Sequence, residues 1–181
     1  MDCVSRKGWR HINDGGISAG ISDSISDSIK HGQTKARLAA QTLDEAVMLS
    51  GMVMGYDLVY EADCFSAADH ETIAAGLIRP MVETIQGHPA GASNWQTWHN
   101  AAMLWGGGLL NDETWTRRAI LDPKNGFLSQ MKTSVTKDGM WYENSWGYHF
   151  YTLSAMIDIA ETARRMGIDL WSHPTLQKMF T

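Results

Sequence analysis

The chain has 181 residues, 44% apolar and 19% charged, with a net charge of −5. At about 150 residues per domain this is one compact unit, or a piece of a larger one, with enough apolar content to fill a core. It is neither a disordered acidic tail nor a basic nucleic-acid-binding arm. Fifteen Lys and Arg against twenty Asp and Glu leave no global field to draw in nucleic acid or an anionic membrane. No run approaches the roughly 20 apolar residues that span a bilayer. The best candidate, Ala101 to Leu110, is interrupted by Gly106, Gly107 and Gly108. Met1 to Gly20 has no apolar signal-peptide core, which leaves either a chain that is not exported or a true start upstream. The two cysteines, Cys3 and Cys64, permit at most one bridge and no zinc cluster.

Residues 1–35 form a segment of distinct composition, rich in Gly, Ser, Asp and Ile. Ile17, Ile21, Ile25 and Ile29 recur every four positions, as on a helix, but the Ser-Asp pairs between them favour caps and turns. Helix and ordered loop both stay open. From residue 36 to 181 helical signals dominate. Ala36 to Tyr60 is apolar on nearly all sides, which predicts a helix packed between layers. Ser66 and Asp69 have capping-box spacing ahead of a stripe of Ile73, Leu77, Ile78, Met81, Val82 and Ile85. Pro80 should kink that helix, and Gly87 should stop it.

Ser93 and Gln96 repeat the capping pattern and open a helix towards Leu110. Asp112 begins a short one, and another is expected from Gly126 to about Val135. The last long helix is expected from about Ser145 to Met166, closed by Gly167. Pro174 to Phe180 reads as the beginning of one more, an abrupt stop that suggests a fragment. No strand alternation is sustained, so the expected fold class is all-α: antiparallel helices that bury their faces by stacking on neighbours.

Two clusters are the candidates for chemistry. Six of the eight tryptophans lie between residues 95 and 146, and they concentrate there. The first cluster is Ser93-Asn94-Trp95-Gln96-Thr97-Trp98-His99-Asn100. At a helix start, Asn94 can turn its amide into a cleft beside free backbone N–H groups, or simply cap the helix. Trp95 and His99 share a face at i, i+4. The second cluster runs from Asp138-Gly139, a turn signal, through Trp141, Tyr142, Glu143, Ser145, Trp146, Tyr148 and His149 to Tyr151. It is richer in polar aromatic groups than packing requires, although an aromatic core with satisfied hydroxyls is the alternative. Glu143 reads as a hydrogen-bond acceptor for the cluster rather than an acid.

These clusters together, Asn94-Trp-Gln-Thr-Trp-His99 and Asp138-Gly…Glu143-x-Ser145-x-x-Tyr148-His149-x-Tyr151, resemble the heparinase II/III-like polysaccharide lyases, a group that includes alginate and oligoalginate lyases. The resemblance covers roughly residues 36 to 181. It implies an (α/α) toroid, here incomplete, and the absence of the β-sandwich domain that follows it in relatives. It implies that an anionic uronate polysaccharide or oligosaccharide is the partner, with β-elimination as the reaction. No cofactor or metal is expected, since the sequence has no His-Glu-x-x-His motif.

Carried onto matching positions, Asn94 neutralises the uronate carboxylate and Tyr148 is base and acid. Trp95, Trp98, Trp141 and Trp146 are candidates for stacking on sugar, with His99, if protonated, adding a positive charge. Glu143 and His149 complete the set of substrate contacts, with a scaffold role open for His149. The parent protein is expected to be secreted or periplasmic. Because the polymer is anionic, the cleft should be locally basic, and Arg79, Arg117, Arg118, Lys132 and Lys137 are the available charges. The rivals are a glycoside hydrolase using Asp138 and Glu143, and a glycan-binding or inactive fragment. His70, His88 and His173 read as surface or capping residues, not ligands, and the Gly106–Gly108 run lacks the context of a phosphate loop.

Overall fold

Glu45 decides where the first helix begins. Its Oε2 accepts the N–H groups of Leu38 and Ala39 at 2.7 and 2.9 Å, so the chain bends there, and α1 spans Thr42–Leu58 rather than starting at Ala36. The computed structural model describes residues 36–181; the Ile-rich stretch around residues 15–29 lies outside them. Helix α2, Ala67–Ile73, starts at Ser66, where the capping box forms as expected. A π-helical turn, Ala74–Ile78, joins it to α3, Arg79–Gln86. Pro80 has no N–H and crowds the carbonyl four residues back. The widened turn just ahead of it absorbs that mismatch, so the expected kink takes the form of a π-bulge. Gly87 ends α3, but with φ −69° it uses no left-handed stop.

Helix α4, Asn94–Leu109, is the centre of the molecule. Ser93 caps it by accepting the Gln96 N–H at 3.3 Å. Helices α5 (Glu113–Leu121), α6 (Phe127–Thr133), α7 (Trp146–Arg165) and α8 (Pro174–Lys178) follow. Asp112 caps α5 through the Thr114 and Trp115 N–H groups. Gly167, at φ 78°, follows the end of α7. His173 Nδ1 accepts the Thr175 N–H and caps α8, and His88 Nδ1 meets the Thr84 carbonyl at the end of α3. Two of the three isolated histidines therefore sit at helix ends, His88 closing α3 and His173 opening α8, while His70 packs among Tyr56, Tyr60 and Phe65. Among the described residues the only β pairing is a single bridge, Val135 to Trp141, inside the turn that carries Asp138 and Gly139. No described helix is long and apolar enough to cross a membrane.

Side-chain contacts fix the helix directions. Trp98 packs its ring 5.3 Å from Tyr151 in the second turns of α4 and α7. At their far ends Arg165 lies over the Trp105 ring at 5.8 Å, so α4 and α7 run parallel. Helix α1 runs the same way: Asp44, near its start, acts on Tyr151, and Asp57, near its end, pairs with Arg165 at 3.6 Å. Helices α3 and α5 run against α4. Val82 lies against Gly106, while Ala90, just past α3, donates to Gln96 Oε1 at 2.7 Å. Thr116 of α5 lies against Gly107, while Asn100 Nδ2 donates to the Asn125 carbonyl beyond α5.

The glycine run makes these approaches possible. A methyl group on Gly106 would sit 2.4 Å from Val82 Cγ2, on Gly107 2.9 Å from Thr116 Oγ1, and on Gly108 3.3 Å from Met166 Sδ. Three neighbours, in α3, in α5 and just past α7, thus close on one bare turn. The core is the apolar filling between these helices, with Leu49, Val53, Ile78, Val82, Ala102, Leu104, Met156 and Ala160 fully buried. Helix α1 departs from the expected two-sided burial. Ala46, Leu49 and Val53 face the core, but Val47, Met48, Met52 and Leu58 are exposed, Leu58 by 77%, because the described helices pack on one side of α1.

Candidate active site

The parallel run of α1, α4 and α7 sets their first turns at one end, and most candidate residues lie there. Asn94 is the first residue of α4 and is buried. Its amide Nδ2 donates to Glu143 Oε2 at 2.9 Å, and the indole Nε1 of Trp141 donates to the same oxygen at 2.6 Å. The Tyr142 hydroxyl donates to the Ala92 carbonyl, fastening the second cluster to the loop that leads into α4. Burial, followed by the Glu143 charge, pushes the Tyr142 phenol above its ordinary range. Gln96 and Gln130 hold the same loop from the other side, Gln130 Nε2 donating to the Gly91 carbonyl at 2.8 Å.

Helix α7 opens on aromatics. Tyr148 is 51% exposed and Trp146 68% exposed, and Trp146 stacks on Phe150 at 5.8 Å between ring centroids. His149 points the other way, as its 100° step along a helix requires, and is buried. Its Nδ1 accepts the Trp141 backbone N–H at 3.1 Å, which places the ring proton on Nε2 for donation to the Met179 carbonyl at 3.0 Å. Of the two roles open for His149, these bonds supply the scaffold one.

Trp98 is half-buried against Tyr151, whose phenol is pushed up by burial and then by Asp44. Trp95 is half-buried. His99 is 1% exposed, and neither ring nitrogen makes a hydrogen bond of good geometry, although the Thr42 and His88 backbones lie close by. Burial, reinforced by His88, lowers its pKa to about 4. His99 is therefore neutral at pH 7 and does not bring the positive charge that protonation would have supplied.

The other basic candidates are spread over the surface. Arg79 reaches Asp112 at 3.7 Å and lies over the Trp115 ring, at the opposite end of α4. Arg118 donates to the Gln86 carbonyl at 3.4 Å. Arg117, Lys132 and Lys137 are exposed. Asp138 sits exposed in its turn, beside Gly139 at φ 83°.

A sequence model of the alginate lyase family matches residues 35–181. The chain belongs to the alginate lyase family. It is also 31% identical, over 141 residues and 74% of its length, to an alginate lyase of Stenotrophomonas maltophilia (strain K279a). The matched region spans 19% of that relative, so the chain corresponds to about a fifth of it. Membership rests on the alginate lyases as such, a narrower placement than the heparinase-like group the motifs suggested.

In this family member the brace around Asn94 was only half legible. Glu143 was expected as an acceptor, and it is one. What it holds was not foreseen, and Trp141 is not the sugar-stacking surface it was expected to be: its ring is fully buried and its indole shares that oxygen. The available signal was the short Trp141-x-Glu143 spacing beside an Asp-Gly turn; the Asn144 N–H bonds the Trp141 carbonyl at 3.1 Å and closes a second turn there, which folds the two side chains together.

Proposed function

We propose that this chain is the carboxylate-binding and proton-transfer part of a polysaccharide lyase that cleaves alginate by β-elimination. Alginate, rather than a heparin-like polymer, is favoured by the family match and the similarity to the Stenotrophomonas enzyme. In this reading the parallel helices α1, α4 and α7 are the inner members of an incomplete (α/α) toroid, and residues 36–181 are its portion in this chain. The parent acts outside the cytoplasm, where the polymer is met.

The reaction removes the proton on C5 of a uronate, spreads the charge into the C6 carboxylate, and expels the C4 oxygen to leave a C4–C5 double bond. A carboxylate already negative resists further charge, and hydrogen-bond donors aimed at it offset that resistance, most where water is excluded. Asn94 supplies such a donor: one amide N–H is taken by Glu143 and the second remains for the substrate. Tyr148 takes the C5 proton and then protonates the leaving oxygen. With His99 neutral, neutralisation falls to hydrogen bonding rather than to a histidine charge. Trp146, Trp95 and Trp98 provide the aromatic surfaces for sugar, Trp146 being the most exposed of the three.

The observation that carries the reading is the shared end: Asn94 opens α4, Tyr148 lies in the first turn of α7, and those helices run parallel, held by the Trp98–Tyr151 contact. The test is Tyr148→Phe. Turnover of alginate, followed by the ultraviolet absorbance of the unsaturated product, should fall by about a thousandfold or more, with oligoalginate binding nearly unchanged. Retained turnover would remove Tyr148 from the mechanism. Cleavage without new absorbance would mean hydrolysis.

A further inference from the structure

The hydrogen bonds around Asn94 form a chain that crosses the molecule. Asn94 Nδ2 and Trp141 Nε1 both donate to Glu143 Oε2. Trp141 is itself fully buried, and its backbone N–H donates to His149 Nδ1. His149 Nε2 donates in turn to the Met179 carbonyl, just past α8. Four elements, α4, the turn at 134–142, α7 and the end of α8, are thereby linked through one carboxylate oxygen.

That arrangement solves a specific problem. A primary amide is nearly symmetric in shape, so an Asn side chain facing a cleft can present either its NH₂ or its oxygen. The wrong way round, its oxygen would face the oxygens of a substrate carboxylate and repel them. A carboxylate neighbour only accepts hydrogen bonds, so it selects the orientation with nitrogen towards it. The second N–H then stands at a fixed angle from the first. Two donors on one oxygen also hold the carboxylate in place, and the rigid Trp141 ring permits little drift.

We propose that Glu143 is the positioning residue of the lyase reaction: it locks the Asn94 amide with its second N–H set for the uronate carboxylate, and Trp141 locks Glu143. The inference rests on the β-elimination reading above and adds to it the residue that sets the donor's orientation. It predicts loss in the chemical step rather than in binding, because a correctly aimed donor matters most as charge develops.

Steady-state kinetics on alginate, read by product absorbance, test it with the full-length protein. Glu143→Ala should lower kcat by about 100-fold and leave KM within about threefold. Glu143→Gln, whose amide oxygen can take both N–H donors, should recover most of that loss, to within about tenfold of the unsubstituted protein. In an Asn94→Ala background, Glu143→Ala should cost nothing further, since the two act as a unit.

Trp141→Phe keeps most of the ring packing, removes one donor, and should lower kcat by about five- to tenfold, which guards against misfolding of the alanine variant. A Glu143→Ala kcat within threefold of the unsubstituted protein overturns the proposal. So do losses that multiply in the double variant, or a glutamine no better than alanine. An unsubstituted protein that forms no absorbing product from any uronate polymer overturns the lyase reading itself, and this role with it.

Discussion

The two ends of α4 are built on opposite principles. At its start the helix is polar: Asn94, Gln96, Thr97 and Asn100 are buried with side-chain or backbone partners, and His99 is buried beside them without a hydrogen bond of good geometry. At its end it is bare, Gly106 and Gly107 packed directly against Val82 and Thr116. One end spends its side chains on orienting groups, and the other gives them up so that neighbours can approach. Contact at the bare end holds the helices at fixed spacing, and that spacing sets what the polar end can hold. Under the proposed mechanism, function and packing are separated along a single helix, and substitutions at the two ends should be distinguishable.

The largest expected effect falls at the polar end. Asn94→Ala should lower kcat on alginate by about 100- to 1,000-fold, the usual cost of losing one donor to a developing oxyanion. Its melting temperature should move far less than its activity. If melting temperature and kcat fall together, the polar end is structural and the division between the ends collapses.

His99 comes next, and its effect is on stability. Its pKa is about 4 in the folded chain against about 6.5 when exposed. Between those values only the unfolded chain is protonated, so the stability present above pH 6.5 is lost as pH falls towards 4. The full difference is about 3 kcal/mol. Denaturant midpoints at pH 7 and pH 4.5 should show it, and His99→Gln should flatten the slope. An unchanged slope in that variant would assign the acid sensitivity to other groups.

At the bare end, Gly106→Ala should destabilise by about 1–3 kcal/mol through overpacking against Val82. The companion change Val82→Ala should recover part of the loss, as expected of residues in contact. Activity per folded molecule should change little. A Gly106→Ala protein as stable as the original would mean that α3 can shift away, and the close approach would not govern the spacing.

How much of this was legible follows from how local each signal is. Ser66, Ser93 and Asp112 cap helices where expected, because a cap is decided within four residues. Gly167 and the Asp138-Gly139 turn were equally readable for the same reason. The start of α1 was not, since Glu45 competes for the Leu38 and Ala39 N–H groups and outweighs the apolar run. The one-sided burial of α1 depends on which helices lie beside it, and no periodicity reveals that.

At the site, both clusters and the acceptor role of Glu143 could be picked out. The bond from Asn94 to Glu143 spans 49 positions and depends on two helices starting at the same end. The neutrality of His99 needed its burial to be known. Glycine persistence at 106–108 was readable only as the absence of a phosphate loop, because what a missing side chain admits is visible only in the neighbours.

That bare turn has a consequence for the order of events when the chain folds. Each glycine costs a helix about 1 kcal/mol relative to alanine, so residues 106–108 have little tendency to coil alone. They are expected to wind only once Val82, Thr116 and Met166, which close on them from three directions, are in place. The closing turn of α4 is therefore expected to form late and to open early. Its amides should exchange with deuterium well before those of Ala101 to Leu104, and they would serve as a local gauge of whether the surrounding helices are in place.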